Sequence, residues 1–176
     1  MRHTLLFCGI ACLLLSGVAY RAAAQPDTLW TRTFDLGTNS SLLAATELQA
    51  GGFVAVGSVV RDSLEDALII RVDPLGDTLW TRAYGDVLTG QRAYDVDILN
   101  DGTIVVCGYD YTVPISCMVT GFSANGTQLW SKRYATGGQG LATDVLPLAD
   151  GGFWIFGRKS VSNHGLDYWL IRCDSD

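Results

Sequence analysis

Two short alternations of acid, Asp95/Asp97 and Asp174/Asp176, and a frequent use of aspartate elsewhere raise the question of calcium. A calcium loop of the helix–loop–helix kind needs oxygens at alternate positions, a central glycine and a distal glutamate, and no such run exists here. Asp95 and Asp97 share one face of a strand, where a solvated edge or a turn cap is the expected use. Once a leader is removed, His164 is the remaining histidine, and with no second one it makes no metal pair. No serine sits in a nucleophile-elbow context, so nothing points to Ser/His/Asp catalysis. No catalytic, cofactor-binding or metal-binding residue is assigned.

Cysteine chemistry depends on compartment. Met1-Arg2-His3, an apolar run from Leu5 to Ala19 and the small residues Ala22-Ala23-Ala24 have the layout of a secretory signal peptide, residues 1–24. That run is too short for a comfortable membrane span, and no other long apolar segment follows. The expected location is outside the cytoplasm: periplasm, cell surface or medium. Cys107, Cys117 and Cys173 then meet an oxidising environment. A hairpin with Tyr109 opposite Ile115 would set Cys107 opposite Cys117. A cross-strand disulfide and two buried thiols are both compatible with that register.

Six more acidic than basic residues give the chain a formal charge of −6, and loss of Arg2 and Arg21 with the leader takes it to about −8. Such a charge argues against nucleic acid or an anionic membrane as partner.

The elements that would carry any site come in threes. DTLWTRTF starts at Asp27, DTLWTRAY at Asp77 and TQLWSKRY at Thr127, so Trp30, Trp80 and Trp130 are spaced by 50 residues. QAGGFVAVG, NDGTIVVCG and LADGGFWIFG recur in step, as do DALIIRVD, SCMVTGFS and DYWLIRCD. A period of this length marks stacked supersecondary units. In the second unit, strands are predicted over residues 92–99, 103–109, 115–123 and 127–134, with turns at Asn100-Asp101-Gly102 and Ala124-Asn125-Gly126. The second strands are apolar on both faces, which calls for a neighbour on each side. The expected fold is all-β: three repeats, roughly 27–76, 77–126 and 127–176, each a four-stranded antiparallel blade, together a partial or oligomer-completed β-propeller. The tryptophans are expected to pack between blades; a sugar-stacking role is the alternative.

The phase matters. A last-type strand (residues 27–34) precedes the first unit, and the third unit stops after a third-type strand. Either residues 27–34 return to complete the third blade, or two chains exchange end strands in a homodimer, or the chain is a shortened part of a longer array.

The repeat resembles that of secreted bacterial β-propeller-type proteins with GDTLW and DGG motifs, in the Bacteroidota manner. The residues that match are 76–85, 51–57, 150–157 and 66–73. The resemblance implies the propeller architecture and an exported protein; it implies no activity and no cofactor.

Two sets of loops differ among the repeats: 35–41, 85–91 and 135–140, and 60–65, 110–114 and 158–166. Blade geometry is expected to put both on one rim, bordered by Arg61, Asp86, Arg92, Asp110, Tyr111, Arg158, Lys159 and His164. Loops on a rigid scaffold gather binding functions. The expectation is an exported, non-catalytic binding or scaffolding module with a protein or glycan ligand, the basic members of the rim suiting an acidic glycan or a partner. A glycan-active or quinone-dependent propeller enzyme is the reading from another class, and a shortened product without a role of its own is a third.

Overall fold

A computed structural model describes residues 27–36, 39–85, 89–134, 138–161 and 165–174. Residues 1–24, Asp86, His164 and Asp176 lie outside these. The described residues are all-β: eleven strands in three antiparallel sheets and no helix. The first sheet is β1 (Ser41–Glu47), β2 (Phe53–Arg61), β3 (Leu64–Val72) and β4 (Thr78–Tyr84), in that order. The second is β5 (Gln91–Ile98), β6 (Ile104–Asp110), β7 (Ser116–Phe122) and β8 (Gln128–Tyr134). The third holds β9 (Gly140–Pro147), β10 (Phe153–Val161) and β11 (Gly165–Cys173), with β10 central. No closed ring is formed by the described residues.

Local chemistry explains the repetition. The β1–β2, β5–β6 and β9–β10 turns each close with two backbone bonds: the Leu48, Leu99 and Leu148 amides donate to the Gly52, Thr103 and Gly152 carbonyls, and the Gly51, Gly102 and Gly151 amides donate back to the carbonyls of those leucines. Gly51, Gly102 and Gly151 take φ of +82°, +85° and +91° there, a region that costs glycine nothing. Before the tryptophan strands, the Asp73 carboxylate accepts the amides of Leu75 and Asp77 at 2.8 and 2.9 Å. Ser123 caps the equivalent turn through the Thr127 amide.

A β-bulge recurs as well. Register slips between Leu42 and Ala44, between Ala93 and Asp95, and on β10 against β9 between Phe156 and Gly157. One residue of each first strand is left over: Leu43, Tyr94 and Thr143. Opposite each bulge is a glycine with no room for a side chain. A Cβ on Gly57, Gly108 or Gly157 would stand 1.9, 1.9 or 2.2 Å from the carbonyl oxygen of Ser41, Arg92 or Leu141. This is the physical reason for the glycine that ends FVAVG, IVVCG and FWIFG.

Burial follows the stacking of sheets. Val54, Val56, Ala67 and Ile69 of the first sheet meet Ile104, Val106, Met118 and Phe122 of the second. The other face of the second sheet, with Val105, Cys107, Cys117 and Val119, meets Ala142, Val145, Phe153 and Ile155 of the third. Every residue of β6 is therefore buried, as its two apolar faces require. The inner strands are also tied by acid. Asp95 Oδ2 accepts the Val145 amide of β9 at 2.9 Å, and Asp97 Oδ1 accepts the Thr46 hydroxyl of β1 at 3.2 Å. The expected solvated edge or turn cap is thus corrected: both carboxylates lie on a strand flanked by neighbouring sheets and bridge to them.

Two further expectations change, and one about the tryptophans holds. Residues 27–34 form no strand and do not return to the third sheet; Trp30 lies against Phe53 of the first, ring centroids 5.9 Å apart. The tryptophans pack from one sheet onto the next as expected, Trp80 against the core between the first two sheets, although Trp30 and Trp130 keep 41% and 36% of their surface. They lie across sheet margins, Trp130 stacked on Phe153 at 6.2 Å and Trp80 over Gly126 with its indole donating to the Ala124 carbonyl at 3.2 Å. The β6–β7 register is also two residues from the expected one. Tyr109 pairs with Cys117, and Cys107 with Val119. Asp110 pairs with Ser116, which brings Asp110 into the ladder and shifts the loop to residues 111–115. Cys107 and Cys117 are buried free thiols rather than a cross-strand disulfide.

Candidate functional site

The ladders place the ends of β2, β4, β6, β8 and β10 on one rim, with the starts of β3, β5, β7, β9 and β11. The two sets of variable loops touch there. The Tyr111 amide donates to the Gly90 carbonyl at 2.8 Å, the Gly140 amide to Ile115, and the Ser160 amide to Gln139.

Between the first and second sheets the rim gathers four of the expected residues. Arg61 pairs with Asp66, Nε to Oδ2 at 2.6 Å. Arg92 Nε donates to Glu65 Oε1 at 2.8 Å, and the Ser58 hydroxyl donates to the same oxygen at 2.7 Å. The Glu65 hydrogen bond is the main reason the Arg92 guanidinium holds its proton more tightly than usual. Asp110 is fully buried, its Oδ2 accepting Arg133 Nε at 2.6 Å and Gln91 Nε2 at 3.3 Å. Its other oxygen accepts the Thr112 amide at 3.0 Å, so this carboxylate organises the loop after β6.

Above these ion pairs stands a run of tyrosines. Tyr94 and Tyr109 have centroids 5.5 Å apart, and Tyr109 meets Tyr111 edge-on at 4.8 Å. Tyr109 Oη donates to Tyr111 Oη at 2.8 Å. Burial, then that hydrogen bond, raises the Tyr109 phenol well above its ordinary range. Tyr109 is buried, whereas Tyr111 keeps 45% of its surface. The result is an open aromatic ring braced from behind, with arginine–carboxylate pairs beside it. Such a surface suits the C–H faces and hydroxyls of a sugar, or an extended peptide.

The other expected members lie apart. Arg158 and Lys159 are on β10 of the third sheet, where Lys159 Nζ stands 5.6 Å over the Trp169 ring. The expected basic patch is therefore not assembled: Arg61 and Arg92 are matched by acids, and Arg158 and Lys159 sit a sheet away. Two tyrosines of the cluster were missed because they lie inside strands. Their signal is in the repeat: Tyr94 is the bulge residue where the other units have Leu43 and Thr143, and Tyr109 stands where they have Ser58 and Arg158. A bulge re-aims the side chain it carries.

Among the described residues no group of three or more His, Cys, Asp or Glu is placed to hold a metal, and no helix is long and apolar enough to cross a membrane. No protein-family model and no curated protein matches the chain. Among solved structures, a protein of unknown function from Bacteroides caccae is similar over 79% of this chain, with 14% identity and a TM-score of 0.46. The chain spans 48% of that protein's length.

Proposed function

We propose that the chain is an exported, non-catalytic binding module of the β-propeller-type repeat class, holding a glycan or protein segment on its rim at Tyr111. The observation that supports this reading most is the braced tyrosine run. Tyr111 is half exposed in a loop that differs among the repeats, yet it is fixed by Tyr109 behind it and by a backbone bond to Gly90. A rigid, exposed aromatic loses little entropy on binding and is a favoured anchor for that reason. The matched ion pairs at its side favour a neutral or mixed-charge ligand over the acidic one expected from sequence. Export rests on residues 1–24, and the propeller class on the 50-residue repeat together with three stacked sheets.

A glycan array and a panel of extracellular proteins, probed with the chain and with Tyr111→Ala, test the proposal. A ligand whose affinity falls at least about tenfold in the variant supports it. Ligands whose affinity is the same for both proteins overturn it.

A further inference from the structure

Among the described residues the third sheet holds three strands where the other two hold four. In them, the strand equivalent to β11 is covered along its outer edge: β3 by β4 and β7 by β8. β11 has β10 on one side and no described strand on the other. Its forward flank is bare as well. The facing positions in the first sheet are Val54, Val56, Ala67 and Ile69, and in the second Val105, Cys107, Cys117 and Val119, all with 0% of their surface exposed. In the third sheet, Phe156, Tyr168 and Leu170 stand at 38%, 95% and 52%. They border an open groove of about 540 Å³ with Thr143 and Arg158.

The same chain carries the fourth-strand sequence in surplus. Residues 28–34, TLWTRTF, match β4, TLWTRAY. They have no ladder partner among the described residues, and Trp30 rests on Phe53 as Trp130 rests on Phe153. Trp30 also faces Gly76, as Trp80 faces Gly126. The segment thus lies on the first sheet as the last strand of a preceding sheet would, with its backbone free to pair.

We propose that β11 takes residues 28–34 of a second copy as its fourth strand. The internal ladders set the register. Tyr84 pairs with Ala67 and Tyr134 with Cys117, while Trp80 pairs with Arg71 and Trp130 with Gly121. By the repeat, Phe34 of the copy pairs with Tyr168, Arg32 with Leu170 and Trp30 with Arg172. Strand addition satisfies an open edge and brings the copy's first sheet against Phe156, Tyr168 and Leu170. The contact joins unlike surfaces, so two copies close a ring if the rotation allows and otherwise extend head to tail.

Size exclusion with light scattering over a range of concentrations tests this on the full chain, alongside Thr31→Pro and Leu170→Lys. Proline removes a strand donor, and Leu170 is exposed, so neither variant disturbs a described ladder or the core. Unfolding curves check that both remain folded. The expected result is an assembly of two or more copies whose half-dissociation concentration rises at least about tenfold in each variant. A monomer at every concentration, or an assembly that either variant leaves unchanged, overturns the proposal.

Discussion

Arg133 donates from Nε to Oδ2 of Asp110 at 2.6 Å, joining the outer strand of the second sheet to a fully buried carboxylate at the end of β6. The arginine is half exposed, but the acid it serves is fully buried. Arg133→Ala leaves a buried charge with only Gln91 and a backbone amide, and such a loss is costly. The expected destabilisation is about 2–3 kcal/mol, read from the midpoint of urea unfolding. Arg32→Ala is the control. Its partner Asp77 lies at 3.3 Å with both side chains largely exposed, so its removal changes stability by less than about 0.5 kcal/mol. Equal effects of the two variants would show that burial of Asp110 does not set the cost.

Gly108 and Gly102 separate two reasons for glycine. At Gly102 an added methyl meets nothing within 4 Å, but φ is +85°. Gly102→Ala should cost about 1 kcal/mol, the penalty of a left-handed conformation. At Gly108 a methyl would strike the Arg92 carbonyl and the Ala93 backbone. Neither strand can give way without breaking the bulge, so Gly108→Ala should cost about 3 kcal/mol or prevent folding. Chemical unfolding of both variants checks the order; a milder effect at Gly108 would mean that the bulge relaxes.

Much of this was legible because the chain repeats. Two copies of the Gly–Trp turn and three of the DGG-type hairpin fix where strands begin, and the edges of β5 to β8 lie within one residue of those predicted. What escaped depends on long-range geometry. The β6–β7 register turns on Asp110, which looks like a loop residue but is drawn into the ladder by Arg133 and Gln91. Residues 27–34 read as a strand because their sequence is that of β4, but a strand needs a neighbour, and the first sheet already has its four. The rim was visible as variable loops, and Tyr111 with it, whereas Tyr94 and Tyr109 were not, since both sit in strands and Tyr94 is aimed by a bulge. Asp144 also escaped, because it faces Asp95 from a different repeat.

The cysteines should differ in reactivity by burial. Desolvation is the largest effect on both inner thiols: it pushes Cys107 well above the ordinary range and Cys117 up to about 12. At pH 8 the thiolate fraction of Cys117 is then on the order of one in ten thousand. Cys173 is partly exposed, its sulfur 3.2 Å from Tyr134 Oη. Native iodoacetamide labelling followed by peptide mapping should therefore find Cys173 modified and Cys107 and Cys117 untouched, with all three labelled after unfolding without reductant. Failure of the inner two to label in urea, with recovery after reduction, would restore the disulfide.

Asp95 predicts how stability changes with pH. Desolvation raises its pKa; the Val145 and Val96 amides act against that rise, and the nearby Asp144 charge adds to it. Because the folded state holds this proton more tightly than the unfolded chain, folding takes up protons between the ordinary carboxylate range and the raised value. The contribution from Asp95 is thus greatest below that range and is lost as pH rises through the raised value. Asp95→Asn keeps an oxygen for the Val145 amide but removes the titration. Its stability from pH 3 to 7 should fall less steeply with rising pH than that of the parent, and its stability at pH 7 should equal or exceed the parent's. Asp144→Asn should reduce the same slope by a smaller amount, since it removes the neighbouring charge but leaves desolvation, the larger cause. Urea midpoints across that range decide the matter. Parallel curves for parent and Asp95→Asn would mean that Asp95 titrates alike in the folded and unfolded chain, and that its bond to Val145 leaves no pH signature.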